Sequence, residues 1–202
     1  MSSQHYRASI GSQPIDLPIV EIDSSLAIAL LISVDQGVSF VEKAGVELAD
    51  RLQDLGIEIV VSVATMGIPL AIETTRALGL DDYVILHKTR KIHLADGFME
   101  PVRSITTDAH QELLFDRART SVVEGRRVAI IDDVISTGSS IAAALRLVRR
   151  VGGEPVALGC LMTEGSRWGA TLGADASLVV ALGAVPVFSP DGRGAFQERW
   201  DH

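Results

Sequence analysis

The sequence predicts an α/β protein built on a doubly wound parallel sheet, and three observations carry that expectation. Uninterrupted β-branched apolar runs recur along the 202 residues, among them IEIVVSVA (Ile57 to Ala64), YVIL from Tyr83, and VAII from Val128. Runs of this kind suit strands buried on both faces. Segments with helical periodicity alternate with them, the pattern of βαβ units with right-handed crossovers. One run, Val128 to Ile131, ends in the adjacent carboxylates Asp132 and Asp133. It then passes through a Ser-Thr-Gly-Ser-Ser turn into the helix-forming IAAALRLVRR. In open parallel sheets ligands bind beyond the carboxyl ends of the strands, where these acids lie.

Taken in order, PIVEID (Pro18 to Asp23) and LAIALLIS (from Leu26) read as two strands around Ser24-Ser25. From Val38 to Leu55 the period changes, with Val41, Ala44, Leu48, Leu52 and Leu55 at helical spacing and charged residues on the other faces. Gly56 ends that helix. The strand Ile57 to Ala64 is followed by MGIPLAIETTRALG as turn and helix, and YVILHK (Tyr83 to Lys88) is a third sheet strand. Lys88 to Asp96 is polar and basic, and SITT and QELLF beyond it suggest a short hairpin or lid. The strand Arg127 to Asp132 comes next, and its helix runs to Gly152-Gly153. PVALGCLMT and SLVVALG then give two further strands. We read one domain, with N-terminal strands in 1–36, a core in 37–183 and a tail in 184–202 that carries Phe188, Phe196 and Trp200. The tail aromatics suit packing or a dimer contact better than base stacking.

A hydrophobic content of 47% is enough to bury a sizeable core. The formal net charge of −8 argues against a nucleic-acid binder held by phosphate contacts, although a local basic cluster could serve a small polyanion. Leu26 to Val34 is too short to span a bilayer, and Glu21 and Asp23 precede it where a signal peptide would be basic. A soluble cytoplasmic protein with no membrane partner is expected. The single cysteine, Cys160, lies in an apolar run and reads as a small buried hydrophobe, which leaves neither a disulfide nor a Cys-based metal site. The five histidines show no zinc spacing, and neither a nucleophile elbow nor a GxxxxGK[ST] loop occurs.

The chemistry concentrates between Val128 and Ser140. Ser136, Thr137, Gly138, Ser139 and Ser140 offer hydroxyls and backbone N–H groups at a helix start, which binds anions because those N–H groups lack partners and the helix dipole is positive there. Asp132 and Asp133 beside such a site suit hydroxyls or a phosphate-associated cation, not a second phosphate. The expected ligand is a sugar phosphate with free hydroxyls.

Hydrophobic strand, two acids and a Thr-Gly turn resemble the phosphoribosyl pyrophosphate (PRPP) motif of type I phosphoribosyltransferases. The span from about Val38 to Gly183 resembles that family, nearest its adenine- and xanthine-type purine branch. The resemblance implies the type I fold, with a small hood from the chain ends and a flexible loop. It also implies transfer of the 5-phosphoribosyl group from PRPP to a nucleobase, giving a nucleoside monophosphate and pyrophosphate. Mg²⁺ would be carried mainly by PRPP and water, with no metal site made by the protein itself, and the protein would be a homodimer. Asp132 and Asp133 would hold the ribose hydroxyls, and Ser136 to Ser140 the 5′-phosphate. Thr65, Met66 and Gly67 would hold pyrophosphate in a turn that in the family often contains a strained peptide. This turn departs from adenine-type relatives, with Ala64 where they carry an acid and Met66 where they carry a base. Family members have a mobile catalytic loop after the third strand. That implies Lys88 and Lys91 as stabilisers of the leaving group, with Arg90 and His93 as further candidates. Adenine is the first acceptor expected. A PRPP-binding regulator without transferase activity stays open, as does transfer to a non-purine base such as orotate or uracil. Against the regulator, the length is expected to leave no room for an appended DNA-binding domain.

Overall fold

The computed structural model describes residues 4–89, 97–102, 111–191 and 195–201. Its centre is a five-stranded sheet of β4 (Ile59–Val63), β5 (Tyr83–Leu86), β8 (Arg127–Ile135), β9 (Glu154–Glu164) and β10 (Val179–Val185). The order is β10-β9-β8-β4-β5, and every neighbouring pair is parallel. The doubly wound parallel sheet expected from the sequence is therefore the fold observed.

Both faces of this sheet are covered, which explains why its strands read as continuous apolar runs. Helix α1 (Val38–Leu52) and helix α2 (Ile68–Ala77) pack on one face. There Ala44, Leu48 and Leu52 meet Val60, Ala129 and Ile131. Helix α4 (Ser139–Arg150) covers the other face, where Ala143, Leu147 and Val148 pack with Val61, Val63 and Ile130. Successive residues of one strand thus serve opposite cores, as the two-residue period of a strand requires. Each helix shows its apolar stripe at the expected spacing, and Val41, Ala44, Leu48 and Leu52 are all buried.

The chain ends form a second sheet of β1 (His5–Ile10), β2 (Gln13–Glu21), β3 (Ala27–Ala29), β11 (Val187–Pro190) and β12 (Phe196–Arg199). Its pairings are antiparallel, and Tyr6 packs edge-on against Phe188 with ring centroids 5.4 Å apart. Strand β1 lies against the central sheet. The Gly11 N–H donates to the Leu182 carbonyl at 3.0 Å, and a Cβ on Gly183 would stand 2.3 Å from the Ser9 carbonyl oxygen. A third pairing joins β6 (Phe98–Val102) to β7 (Gln111–Phe115).

Three expectations change in detail. The run from Leu26 is a strand only over Ala27–Ala29, because the chain leaves the sheet to form a 3₁₀ turn at Ser33–Asp35. That turn lets the Ser33 hydroxyl donate to the Met66 carbonyl at 2.8 Å. Strand β8 does not stop at Asp132. It stays paired with β9 as far as Ile135 opposite Thr163, so both acids lie within the strand. QELLF does form a hairpin, but with Phe98–Val102; SITT and the catalytic-loop candidates Arg90, Lys91 and His93 lie outside the described residues. Strand β1 was not anticipated, because HYRASI has too few apolar residues to stand out.

Candidate functional site

The carboxyl edge of the central sheet brings together three segments far apart in sequence. Strand β8 supplies Asp132 and Asp133. The Asp132 carboxylate accepts from the Asp133 N–H at 3.0 Å. Asp132 is 8% exposed, whereas Asp133 is half-buried. Burial is the main cause that pushes the Asp132 carboxyl well above the usual range, and the Asp133 charge adds to it. Lys88, exposed just beyond β5, pulls in the opposite direction, which places its charge within reach of the acid pair.

The Ser136–Ser140 turn and the start of α4 follow the acids. Gly138 caps the helix with φ +78°, a left-handed conformation that favours glycine. No side chain caps α4, and its first intrahelical bond runs from the Ala142 N–H to the Gly138 carbonyl at 2.9 Å. The N–H groups before it point out of the helix end. The Thr137 hydroxyl donates to the Ser139 hydroxyl at 3.0 Å, which orders the turn. A pocket of about 110 Å³ runs from Asp132 along this turn to Ile141. The Ser139 N–H donates to the Thr137 hydroxyl at 3.4 Å, and the pocket, the size of a small anion such as phosphate, lies at the positive end of the helix, where a negative charge is favoured.

Thr65, Met66 and Gly67 form the turn between β4 and α2, and the Ala64–Thr65 peptide bond is cis. Gly67 packs closely against Asp132. A Cβ there would lie 2.8 Å from the Ser62 hydroxyl and 3.0 Å from both the Cα and the Oδ1 of Asp132. Thr65 and Met66 are exposed, so their side chains do not enter this contact.

The sequence reading missed Ser33, Ser62, Glu164 and Trp168. Glu164 carries the signal that exposed Asp132, an acid ending a buried apolar run, but the reading stopped that run at Thr163. Ser33 and Ser62 are common residue types whose importance arises from the turn they touch, Ser33 at Met66 across the fold and Ser62 at Gly67 five residues on. Among the described residues, no group of three or more His, Cys, Asp or Glu is arranged to hold a metal, and no helix is long and apolar enough to cross a membrane.

Sheet order, acid pair and the turn into α4 define an α/β protein with a small polar pocket at the carboxyl edge of a parallel sheet. Comparison with known proteins makes the class specific: the chain belongs to the phosphoribosyl transferase domain family, whose model matches residues 41–179. It is 28% identical over 156 residues to the orotate phosphoribosyltransferase of Desulforamulus reducens, covering 77% of this chain and 69% of that protein. It is 33% identical over 119 residues to the transcriptional regulator GfcR of Halobacterium salinarum, covering 58% of this chain and 50% of that one. To the adenine phosphoribosyltransferase of Sodalis glossinidius it is 31% identical over 107 residues, covering 53% and 55%. The chain thus spans about half the length of the last two relatives. Adenine phosphoribosyltransferase from Rhodothermus marinus matches with TM-score 0.59 at 25% identity, over 69% of this chain and 77% of that one. The Trypanosoma brucei enzyme in complex with AMP, pyrophosphate and ribose-5-phosphate shares the fold at TM-score 0.59 and 20% identity, over 85% and 68%.

Proposed function

We propose that this protein transfers the 5-phosphoribosyl group of PRPP to a nucleobase, releasing pyrophosphate, with a purine and first of all adenine as acceptor. The observation that carries this reading is the convergence of the acid pair, the phosphate-sized pocket at α4 and the Gly67 turn on one sheet edge. The 5′-phosphate would sit in the Ser136–Ser140 turn. Asp132 and Asp133 would then hold the ribose hydroxyls, beside the carbon on which positive charge develops as its bond to pyrophosphate breaks. The backbone of Thr65, Met66 and Gly67 would receive the pyrophosphate. Lys88 would stabilise the leaving charge electrostatically, a role assigned also to Lys91.

Mg²⁺ fits this arrangement. The half-buried Asp133 carboxylate is a hard oxygen donor within the site, suited to an ion that keeps most of its shell on phosphate and water. The ion would supply charge neutralisation at the leaving oxygens. A cytoplasmic homodimer acting in purine salvage belongs to the same reading.

Two findings support alternatives. The match to GfcR, together with Met66 in the pyrophosphate turn, favours a PRPP-responsive regulator. The match to an orotate phosphoribosyltransferase favours a pyrimidine acceptor. The test is product formation from PRPP and Mg²⁺ with adenine, hypoxanthine, guanine, xanthine, orotate and uracil in parallel. Adenine converted to its monophosphate with pyrophosphate released is the expected result. Conversion of orotate or uracil alone would overturn the purine assignment. No conversion of any base, alongside thermal stabilisation by PRPP, would overturn the transferase reading in favour of the regulator.

A further inference from the structure

Ser33 is only 1% exposed, although it sits in the turn that carries the chain from β3 of the second sheet to α1. That turn is braced from within. The Asp35 N–H donates to the Ile32 carbonyl at 3.2 Å and the Gln36 N–H to the Ser33 carbonyl at 3.3 Å, while the Gln36 side-chain amide donates to the Ile32 carbonyl at 3.2 Å. The Ser33 hydroxyl is thus held on ordered backbone where it donates to the Met66 carbonyl at 2.8 Å. That carbonyl belongs to the Met66–Gly67 peptide, which is trans. In a planar trans peptide the C=O and the N–H point in opposite directions, so a bond that fixes one aims the other. The Gly67 N–H therefore points away from Ser33. Gly67 is buried against Asp132, and its N–H has no hydrogen-bond partner among the described residues. A buried backbone donor left without a partner calls for an acceptor.

We propose that Ser33 is a positioning residue: by holding the Met66 carbonyl it presents the Gly67 N–H to an oxygen of the leaving pyrophosphate. The inference rests on the proposed phosphoribosyl transfer and deepens it by naming what orients the pyrophosphate turn. Ser33 does not itself touch the ligand. The Met66 side chain carries no charge, so the turn's hold on an anion depends on its backbone donors and on their aim. Without the Ser33 hydroxyl the Met66–Gly67 peptide can rotate about its flanking bonds, and part of the population turns its N–H from the ligand. A sugar phosphate held at Ser136 to Ser140 rests on other elements and does not feel that change.

The test is calorimetric titration of the full chain, wild type and Ser33→Ala, with pyrophosphate and Mg²⁺ and, separately, with ribose 5-phosphate. Loss of one orienting hydrogen bond predicts that Ser33→Ala binds pyrophosphate about five- to tenfold more weakly. Its affinity for ribose 5-phosphate stays within about twofold of wild type, whereas a merely structural role would weaken both ligands or neither. A second measurement needs no variant and so stands even if Ser33→Ala fails to fold. In amide NMR spectra of the wild type, the Gly67 proton should move downfield as pyrophosphate is added and stay in place with ribose 5-phosphate. The proposal is overturned if Ser33→Ala binds pyrophosphate as wild type does, if both ligands weaken equally, or if the Gly67 amide ignores a pyrophosphate that binds. A wild type that binds ribose 5-phosphate but no pyrophosphate would instead overturn the pyrophosphate-turn reading beneath it, and the proposal with it.

Discussion

Gly67→Ala tests whether the pyrophosphate turn and the acid pair form one packed unit. Gly67 has φ −73° and ψ −17°, an ordinary helical conformation, so alanine carries no backbone penalty there. With nothing in its way, such a change would stabilise the protein by about 0.4–1 kcal/mol through the unfolded chain. The new methyl, however, would stand 2.8 Å from the Ser62 hydroxyl and 3.0 Å from the Cα and Oδ1 of Asp132. Comfortable contacts lie near ~3.5–4 Å, and one obstacle is backbone at the centre of a paired strand. Overpacking of this kind costs about 1–3 kcal/mol, which outweighs the gain. The expected net loss is about 1–2 kcal/mol, a fall in Tm of roughly 2–8 °C for a domain of this size. Rate should suffer more than stability, because a turn pushed back by up to ~1 Å can cost about 10²-fold in a preorganised site. Calorimetric melts and single-turnover rates with PRPP and the accepted base measure both. Adding Ser62→Ala removes one of the three obstacles and should recover part of the Tm. A Gly67→Ala protein that melts at or above wild type and turns over normally would refute the packing argument.

Asp133→Asn should lower turnover at least 10²–10³-fold while leaving the melting curve in place, because the carboxylate is half-buried and, on the proposed function, would serve the developing charge; an unaltered rate would remove the mechanism. Ser62→Ala should raise Tm by about 2–4 °C, since the Ser62 hydroxyl is buried with no hydrogen-bond partner among the described residues and its desolvation costs on the order of 1 kcal/mol. A drop in Tm would mean that the hydroxyl has found a partner. Asp132 gives a pH prediction. Its folded pKa lies above the unfolded value, so the folded state holds the proton more tightly. That contribution to stability is complete below the unfolded value near ~3.9 and is lost as pH rises through the folded pKa. Urea unfolding across that range should show a smaller fall in Asp132→Asn than in wild type, and parallel curves for the two proteins would contradict it.

The parts of the fold that were legible in the sequence are those where one residue type repeats for one physical reason. Continuous apolar runs marked β4, β8 and β9 because both faces of the sheet are covered. Helical spacing marked α1 because only one stripe is buried. The second sheet was harder to see. Strand β1 alternates exposed and buried residues and gains its partners from β2 and, across the molecule, from β10. The acid pair and the Ser136–Ser140 turn were legible because the chemistry is continuous in sequence. Gly67 against Asp132 and Ser33 on Met66 are contacts between segments more than thirty residues apart. No local pattern encodes such contacts.

An acidic chain with carboxyls at two strand ends is at first sight a poor host for a phosphate-rich ligand. The structure resolves this by where it buries them. Asp132 and Glu164, the acids most enclosed at the sheet edge, are those whose protons burial holds most tightly. Asp133 is the more open of the pair, and Lys88 brings positive charge to Asp132. On the proposed function, the phosphate would meet the start of α4, where the positive end of the helix dipole lies. Net charge therefore says little about this site. What bears on the proposed phosphate site is how deeply each acid is buried and where the helix end lies, and both follow from a strand that carries its acids into the sheet before the chain turns.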